Sequence, residues 1–155
     1  MSEERAIAAL EAAGVPYRVT RHGHVGSLAE AAALRGVDPD RIVKTLVVRR
    51  ADDDHLFVLV PGDRQISWPK LRGLLGVSRL SMPPPEDAFA ATGYERGTIT
   101  PFGSSHPWPV VADEQVTGTI SLGAGAHGVA VTVEARDVIA ALDATVADVT
   151  DSPTD

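Results

Sequence analysis

The sequence predicts a single domain of the α+β class, an α/β mixture in which helices pack outside a curved, mixed and mostly antiparallel sheet. Three observations support this fold. Segments with strand character outnumber those with helix character, two neighbouring apolar runs have the pattern of a hairpin, and no repeat or linker divides the 155 residues. We therefore expect residues 1–155 to form one domain, with a frayed tail from Thr150 onwards.

Capping residues predict the helices in the first third of the chain. Ser2 can cap a first helix, and Gly14 can end it. Ser27 and Glu30 form a capping box at the start of an alanine-rich helix, which ends at Gly36. The other elements predicted here are a strand over 15–20, a loop over 21–26 and a short helical turn from 38 to 42.

Two apolar runs predict the centre of the sheet. Residues 43–49 and 55–60 are nearly continuous in aliphatic side chains, and the acidic turn 52–54 joins them as an antiparallel hairpin. Strands that are apolar on both faces lie centrally in a sheet. The turn lacks the spaced glycine and glutamate of a calcium loop, so it is interpreted as a solvated hairpin tip.

The second half of the chain predicts two short helices, several strands and a final helix. Ser67 caps a helix that ends at Gly76, and a proline run opens another helix that ends at Gly93. Alternating valines at 129–133 indicate a strand with one buried face. The remaining predicted elements are strands over 78–82, 108–112 and 118–122, and a helix over 134–142.

Charge and composition limit the class of function. The net charge of −7 argues against binding nucleic acid by bulk electrostatics, and the absence of cysteine excludes disulfides and thiolate chemistry. No apolar run reaches the length of a membrane span, and the first residues lack a signal-peptide pattern, so we expect a cytoplasmic protein that binds no membrane. A local basic face is compatible with this, because positive residues concentrate at Arg41, Lys44, Arg49, Arg50, Arg64, Lys70, Arg72, Arg79 and Arg96.

Two glycine-rich segments are the strongest candidates for a binding site. They are Gly93–Gly103 and Gly123–Gly128, and glycine lets backbone amides approach a ligand or hold an anion. We expect both loops to form one pocket with Lys44, although tight turns alone would also explain the glycines. The second loop has the letters of a dinucleotide fingerprint, but a strand follows it instead of a helix. We therefore exclude NAD or FAD and expect no cofactor.

Single polar residues give weaker signals. Lys44 lies in an apolar strand, so it occupies either an exposed edge or a pocket, where its charge would suit a phosphate or carbonyl oxygen. His22 and His24 could bind a metal, but no third ligand is near in sequence. No hydroxyl residue has a visible base partner. An enzyme built this way would work by orientation and oxyanion stabilisation, with water or the substrate as nucleophile.

Four segments occur in an order and spacing that resemble one family: 43–48, 60–63, 92–103 and 123–142. Together they resemble the YbaK/ProX family of aminoacyl-tRNA deacylases, which is related to the editing insertion of bacterial prolyl-tRNA synthetases. The resemblance covers nearly the whole chain. It implies a compact mixed-sheet fold and hydrolysis, in trans, of the ester between a wrong amino acid and the tRNA 3′ end. The implied partners are aminoacyl-tRNA, which binds through its acceptor 3′ end, and a synthetase in a transient complex. The chain itself is expected to be a monomer or a weak dimer.

The resemblance also implies a set of site residues. A strand lysine that contacts the terminal nucleotide or aminoacyl group matches Lys44, and amides of the two glycine loops hold the carbonyl and the terminal adenosine. Catalysis is substrate-assisted or uses a held water. The site residues implied in this way are Lys44 as the catalytic residue and, for substrate binding, His22, Thr45, Gly97, Thr98, Ile99, Thr100, Gly123, Ala124, Gly125, His127 and Gly128; no metal ligand is among them.

Three positions depart from the members that act on Cys-tRNA(Pro). His22 stands where those members have a tyrosine, Gly123 where they have a serine, and Ala130 where they have an aspartate. The departures argue for a different amino acid or an altered activity. The alternative function is a non-catalytic module of the same fold that binds a nucleotide, an aminoacyl group or a protein. A metal hydrolase that uses His22 and His24 is a third possibility.

Overall fold

A mixed sheet with helices outside it forms the described part of the chain. A computed structural model describes residues 2–23, 25–62 and 64–152. In chain order the elements are α1 (Ser2–Ala12), β1 (Arg18–Arg21), α2 (Leu28–Arg35), a 3-10 turn (Pro39–Arg41), β2 (Ile42–Ala51), β3 (Asp54–Pro61), β4 (Gln65–Ile66), α3 (Trp68–Leu75), α4 (Pro85–Thr92), β5 (Val110–Asp113), β6 (Thr119–Gly123), β7 (Val129–Glu134), α5 (Ala135–Leu142), β8 (Thr145–Ala147) and β9 (Thr150–Asp151). In these ranges, no helix combines the length and apolar character that crossing a bilayer needs.

The main sheet has seven strands in the order β1-β7-β6-β2-β3-β5-β8. The neighbours β1 and β7, β7 and β6, and β2 and β3 are antiparallel. The neighbours β6 and β2, β3 and β5, and β5 and β8 are parallel. The antiparallel ladders are the longer ones, so the predicted mixed, mostly antiparallel sheet with helices outside is confirmed.

The β2–β3 hairpin lies in the middle of this sheet, as its apolar composition predicted. β3 pairs with β2 on one side and with β5 on the other, and residues 55–61 are all buried. Side chains alternate between the two faces of a strand. Val43 and Val47 of β2 accordingly join one core cluster, whereas Val48 joins a second cluster on the opposite face.

Two of the predicted helix caps are present, at Ser27 and Ser67, whereas Ser2 is the first residue of α1 itself and not its cap. The Ser27 hydroxyl accepts a hydrogen bond from the Glu30 amide at 3.1 Å, and the Glu30 carboxylate accepts one from the Gly26 amide at 3.1 Å. Ser67 caps α3 in the same way, through the Lys70 amide. Each cap satisfies amides at the start of a helix that have no partner within it.

The C-terminal end is more ordered than the sequence predicted. Thr150 and Asp151 form β9, which pairs with β4, and Thr150 is fully buried. The predicted fraying is therefore wrong for these two residues, while residues 153–155 lie outside the described part of the chain. The reason is the buried carboxylate of Asp113, which accepts hydrogen bonds from the Val149 amide at 3.1 Å and the Thr150 hydroxyl at 2.9 Å.

Short strands account for the other differences. The segment predicted as a strand over 78–82 makes only a bridge between Ser81 and Arg49. β4, β8 and β9 have two or three residues each and were not predicted. A strand of this length has too few positions to show an alternating pattern.

Asp113→Ala should lower the free energy of unfolding by roughly 2–4 kcal/mol, because it leaves the buried donors at Val149 and Thr150 without their charged acceptor. Urea unfolding measures this change. Asp148→Ala is the matched control, since Asp148 is half-exposed and its ion pair with Lys70 is worth at most about 1 kcal/mol. Equal stability of the two variants would contradict the role of Asp113.

Candidate active site

The principal cavity lies beside β2 and has a volume of about 500 Å³. Its walls come from β2, the end of α2, the start of α4 with the segment before it, and the two glycine-rich loops. The cavity is partly apolar, since aliphatic residues of β2 and of the segment 82–88 line it. Charged residues line it as well, so the cavity suits a ligand with both polar and apolar parts.

The cavity exists because two parallel strands separate. β6 pairs with β2 only at Ile42 and Val43, after which β6 ends at Gly123. The following residues of β2, from Lys44 to Val47, line the cavity. Since neighbouring residues on a strand point to opposite faces of a sheet, the side chains of Lys44 and Thr45 lie on different faces.

The charge of the cavity is opposite to that of the chain. Arg35, Lys44 and Arg96 line it, and among the described residues no aspartate or glutamate does. The chain as a whole carries −7. A concentration of positive charge in a cleft focuses the field there and attracts an anionic ligand. Lys44 is exposed, and its ammonium donates a hydrogen bond to the Arg64 carbonyl at 3.2 Å.

Arg35 is the functional candidate that sequence reasoning missed. Its Nε donates to His22 Nε2 at 3.2 Å, and its Nη1 donates to the Ser121 hydroxyl at 3.4 Å. Among the described residues, no carboxylate forms an ion pair with it. Burial lowers the pKa of the guanidinium from its ordinary value, yet arginine stays charged at neutral pH. A partly buried cation without a counter-ion suits an anion from outside the protein.

His22 supports Arg35 and does not itself line the cavity. Because His22 Nε2 accepts the hydrogen bond from Arg35, its Nδ1 carries the proton and donates to the Gly23 carbonyl at 2.9 Å. The backbone also holds His22 in place, since its amide donates to the Gly128 carbonyl at 2.9 Å. In this structure His22 therefore holds Arg35 in place, and its role in substrate binding stays a prediction.

Thr45 carries a polar atom that the described residues leave without a partner. Its Oγ1 is buried, accepts or donates no hydrogen bond in the described part of the chain, and belongs to a residue that lines the cavity. An unpaired buried hydroxyl costs about 1–3 kcal/mol. A polar group of a ligand would satisfy it.

The two glycine loops contact each other, as predicted. The Gly125 amide donates to the Thr98 carbonyl at 3.0 Å. Gly97 and Gly123 line the cavity together with Lys44, so the predicted combination of both loops with this lysine is present. Ile99 lines it as well.

Other glycines of these loops are explained by packing. A Cβ at Gly125 would lie 2.8 Å from the Ser2 carbonyl oxygen and 2.8 Å from the Tyr94 ring, and φ is +87° there. At Gly128 φ is +75°, and a Cβ would overlap the His22 carbonyl oxygen. Tight turns are thus sufficient to explain these two positions.

The remaining predicted site residues lie outside the principal cavity. The Thr98 hydroxyl donates to the Glu95 carbonyl at 2.7 Å, and the Thr100 hydroxyl accepts from the Phe102 amide at 3.3 Å, so both serve the loop itself. Ala124 is buried in the core. His127 and Thr98 line a separate hollow of about 330 Å³.

Of the two histidines that could bind a metal, the structure describes only His22. His24 lies outside the described residues, and His22 is engaged by Arg35. Within residues 2–23, 25–62 and 64–152, no three histidine, aspartate or glutamate side chains are close enough to hold a metal ion.

Comparison with protein families gives one match. Residues 22–141 match the family model described as an aminoacyl-tRNA editing domain. The matched range includes the whole principal cavity, from Arg35 to Gly123. It also includes both glycine loops.

Individual relatives agree with this match. A solved structure described as a candidate trans-editing enzyme for prolyl tRNA synthetase superposes with a TM-score of 0.87 at 25% identity, over 97% of this chain and 98% of that chain. The proline–tRNA ligase of Levilactobacillus brevis is 34% identical over 102 residues, which are 66% of this chain and 18% of the ligase. That of Caldicellulosiruptor bescii is 37% identical over 93 residues, or 60% of this chain and 16% of the ligase. The chain therefore corresponds to a small part of these ligases.

Proposed function

Because the chain belongs to the aminoacyl-tRNA editing domain family, we propose that it is a trans-editing deacylase that hydrolyses the ester of a mischarged tRNA, with tRNA(Pro) as its tRNA. The observation that carries the proposal is the cationic cavity in an acidic chain. Arg35, Lys44 and Arg96 border a partly apolar space to which the described part of the chain contributes no carboxylate. This combination suits the 3′ end of a charged tRNA, which has an anionic backbone, an adenine and an amino acid.

The tRNA assignment rests on the relatives. The sequence matches are to proline–tRNA ligases, and one structural relative is described as a candidate trans-editing enzyme for prolyl tRNA synthetase. We expect this editing domain to meet the charged tRNA in the cytoplasm, alone or in a transient complex with the synthetase. It needs to hold only the acceptor end, so a local cationic cavity is sufficient despite the net charge of −7.

The proposed reaction uses no side-chain nucleophile. A water molecule, oriented by the free hydroxyl of the terminal ribose, adds to the ester carbonyl carbon. The bond from that carbon to the ribose oxygen then breaks, one proton of the water passes to the ribose oxygen, and the other passes to solvent as the amino acid leaves as a carboxylate. Lys44 orients the 3′ end and offsets the negative charge that develops on the carbonyl oxygen.

Gly123 and Thr45 are the proposed contacts to the aminoacyl end. A Cβ at Gly123 would lie 3.6 Å from the Ile99 carbonyl oxygen, an ordinary contact distance, so the absent side chain widens the cavity. The buried Thr45 hydroxyl is without a described partner and can bind the held water or a polar group of the substrate. Small apolar pockets separate amino acids that differ by a methylene only weakly.

The experiment that tests this function is deacylation of Ala-, Cys- and Pro-tRNA(Pro) by the purified protein. We expect faster ester hydrolysis than in buffer for a mischarged species and no acceleration for Pro-tRNA(Pro). Acceleration for none of the species, with the protein folded, would contradict the proposal. The same outcome with tight tRNA binding would favour the second candidate, a non-catalytic binding module, which the lack of a nucleophile in the cavity also allows.

Arg35→Met should raise the KM for a mischarged tRNA about tenfold or more, with a smaller effect on kcat, because it removes a partly buried cation that faces the bound anion. Arg35→Lys should recover little, since a lysine cannot reproduce the paired contacts to His22 and Ser121. Arg18→Met, on a strand at the sheet edge, is the control. Full activity of Arg35→Met would remove Arg35 from the site.

A further inference from the structure

A second basic surface lies next to the proposed active site. We name it the arginine hollow and define it by the residues Arg49, Arg50, Arg72 and Arg79, which line a depression of about 440 Å³. Asp52 is the one acidic residue that the described part of the chain adds to its lining. The chain as a whole has a net charge of −7, so the charge of this depression is opposite in sign to that of the chain.

Two of these arginines have no counter-ion. Within the described residues, no carboxylate forms an ion pair with Arg72, which is half-buried, or with Arg79, which is exposed. The other two are paired at the surface. Arg50 binds Asp54 at 3.1 Å, and Arg49 lies 3.9 Å from Asp87, a loose contact. Four arginines against one lining aspartate leave the described surface of the hollow positively charged.

The fold joins the hollow to the active-site cavity along two walls. β2 contributes Lys44 to the cavity and Arg49 to the hollow, and the five residue steps from one to the other span roughly 16 Å. The segment 78–83 forms the other wall, with Ser81 in the hollow and Met82 in the cavity. Reciprocal backbone hydrogen bonds between Arg49 and Ser81, at 2.8 and 3.1 Å, fix the two walls together.

We propose that the arginine hollow binds the phosphodiester backbone of the tRNA acceptor stem while the 3′ end occupies the cavity. This inference rests on the proposed function. The separation of the two sites matches the reach of a few single-stranded nucleotides, which lead from a stem to its charged end. Met82 is 48% exposed between the sites and offers an apolar surface to an unstacked base. Arginine is the residue that phosphate recognition favours.

The test uses the double variant Arg72→Ala/Arg79→Ala, since no carboxylate in residues 2–23, 25–62 and 64–152 forms an ion pair with either side chain. Binding of uncharged tRNA(Pro) and of an acceptor-stem minihelix is followed by fluorescence anisotropy at several salt concentrations. We expect about tenfold weaker binding and a salt slope that is smaller by about one to two, because two phosphate contacts are lost. The control is Arg18→Ala/Arg136→Ala, which removes the same charge from outside both sites.

Hydrolysis of a minimal substrate separates this inference from the proposed function. An aminoacyl ester of adenosine reaches the cavity but has no stem, so the hollow variant should cleave it at the wild-type rate. If wild type cleaves no aminoacyl ester, the proposed function fails, while the binding experiment still decides the role of the hollow. The inference is overturned if the hollow variant and the control bind both RNAs with the same affinity and salt slope, or if wild type binds neither RNA.

Discussion

Lys44→Ala is expected to reduce hydrolysis of a mischarged tRNA at least about 100-fold, without unfolding the protein. The lysine ammonium lies at the cavity where β6 separates from β2, and it is one of three cations that border the space. A positioned charge of this kind acts mainly on the transition state, and losing one such donor costs about 100- to 1,000-fold in kcat. The measurement is a single-turnover rate at saturating protein.

Lys70→Ala is the matched control for this variant. Lys70 is the only other lysine in the chain, and it forms surface ion pairs with Asp148 at 3.1 Å and Asp151 at 3.4 Å, away from the cavity. The Lys70→Ala variant should therefore retain full activity. Lys44 is exposed, so both variants should melt close to wild type. Hydrolysis at the wild-type rate by a folded Lys44→Ala protein would show that the lysine has no role in the mechanism.

Gly128→Ala is expected to destabilise the protein by about 3 kcal/mol, which corresponds to a Tm lower by roughly 6–12 °C. The φ angle of +75° disfavours any side chain there, and the new Cβ would overlap the backbone carbonyl of His22. Since this carbonyl belongs to the backbone, a side-chain rotation cannot relieve the overlap. Thermal unfolding measures the change.

Gly123→Ala separates the structural glycines from the proposed binding glycine. At this position a Cβ meets the nearest backbone atom at an ordinary 3.6 Å, so the Tm should change by no more than about 2 °C. The methyl group would enter the cavity and should change the relative rates on Ala- and Cys-tRNA(Pro). A large loss of stability in Gly123→Ala, or none in Gly128→Ala, would contradict the distinction between a binding glycine at position 123 and a structural glycine at position 128.

The sequence predicted the fold where local physical rules decide it. Ser27 and Ser67 predict the starts of α2 and α3 because their hydroxyls accept amide hydrogen bonds at the helix start. The apolar character of β2 and β3 predicts that they lie at the centre of the sheet. The ends of the sheet depend instead on distant contacts, such as the bond between Asp113 and Thr150. Two-residue strands held in this way carry no local signal.

The site was predicted only in part, for a related reason. Lys44, Gly97 and Gly123 were found because a charge inside an apolar strand and glycines in a broken segment are locally unusual. Arg35 was missed because an arginine in the last turn of a helix is ordinary. Its significance comes from burial against Ser121, which lies 86 positions further along the chain.

The most direct test of the proposed deacylase activity is the time course of ester hydrolysis for mischarged tRNA(Pro) with the purified wild-type protein in excess, measured beside spontaneous hydrolysis in buffer. We expect release of the free amino acid above the spontaneous rate for at least one mischarged species, and intact tRNA that can be charged again. Binding of the mischarged tRNA without any acceleration would contradict it, because the cationic cavity would then be a binding site and not a site of hydrolysis.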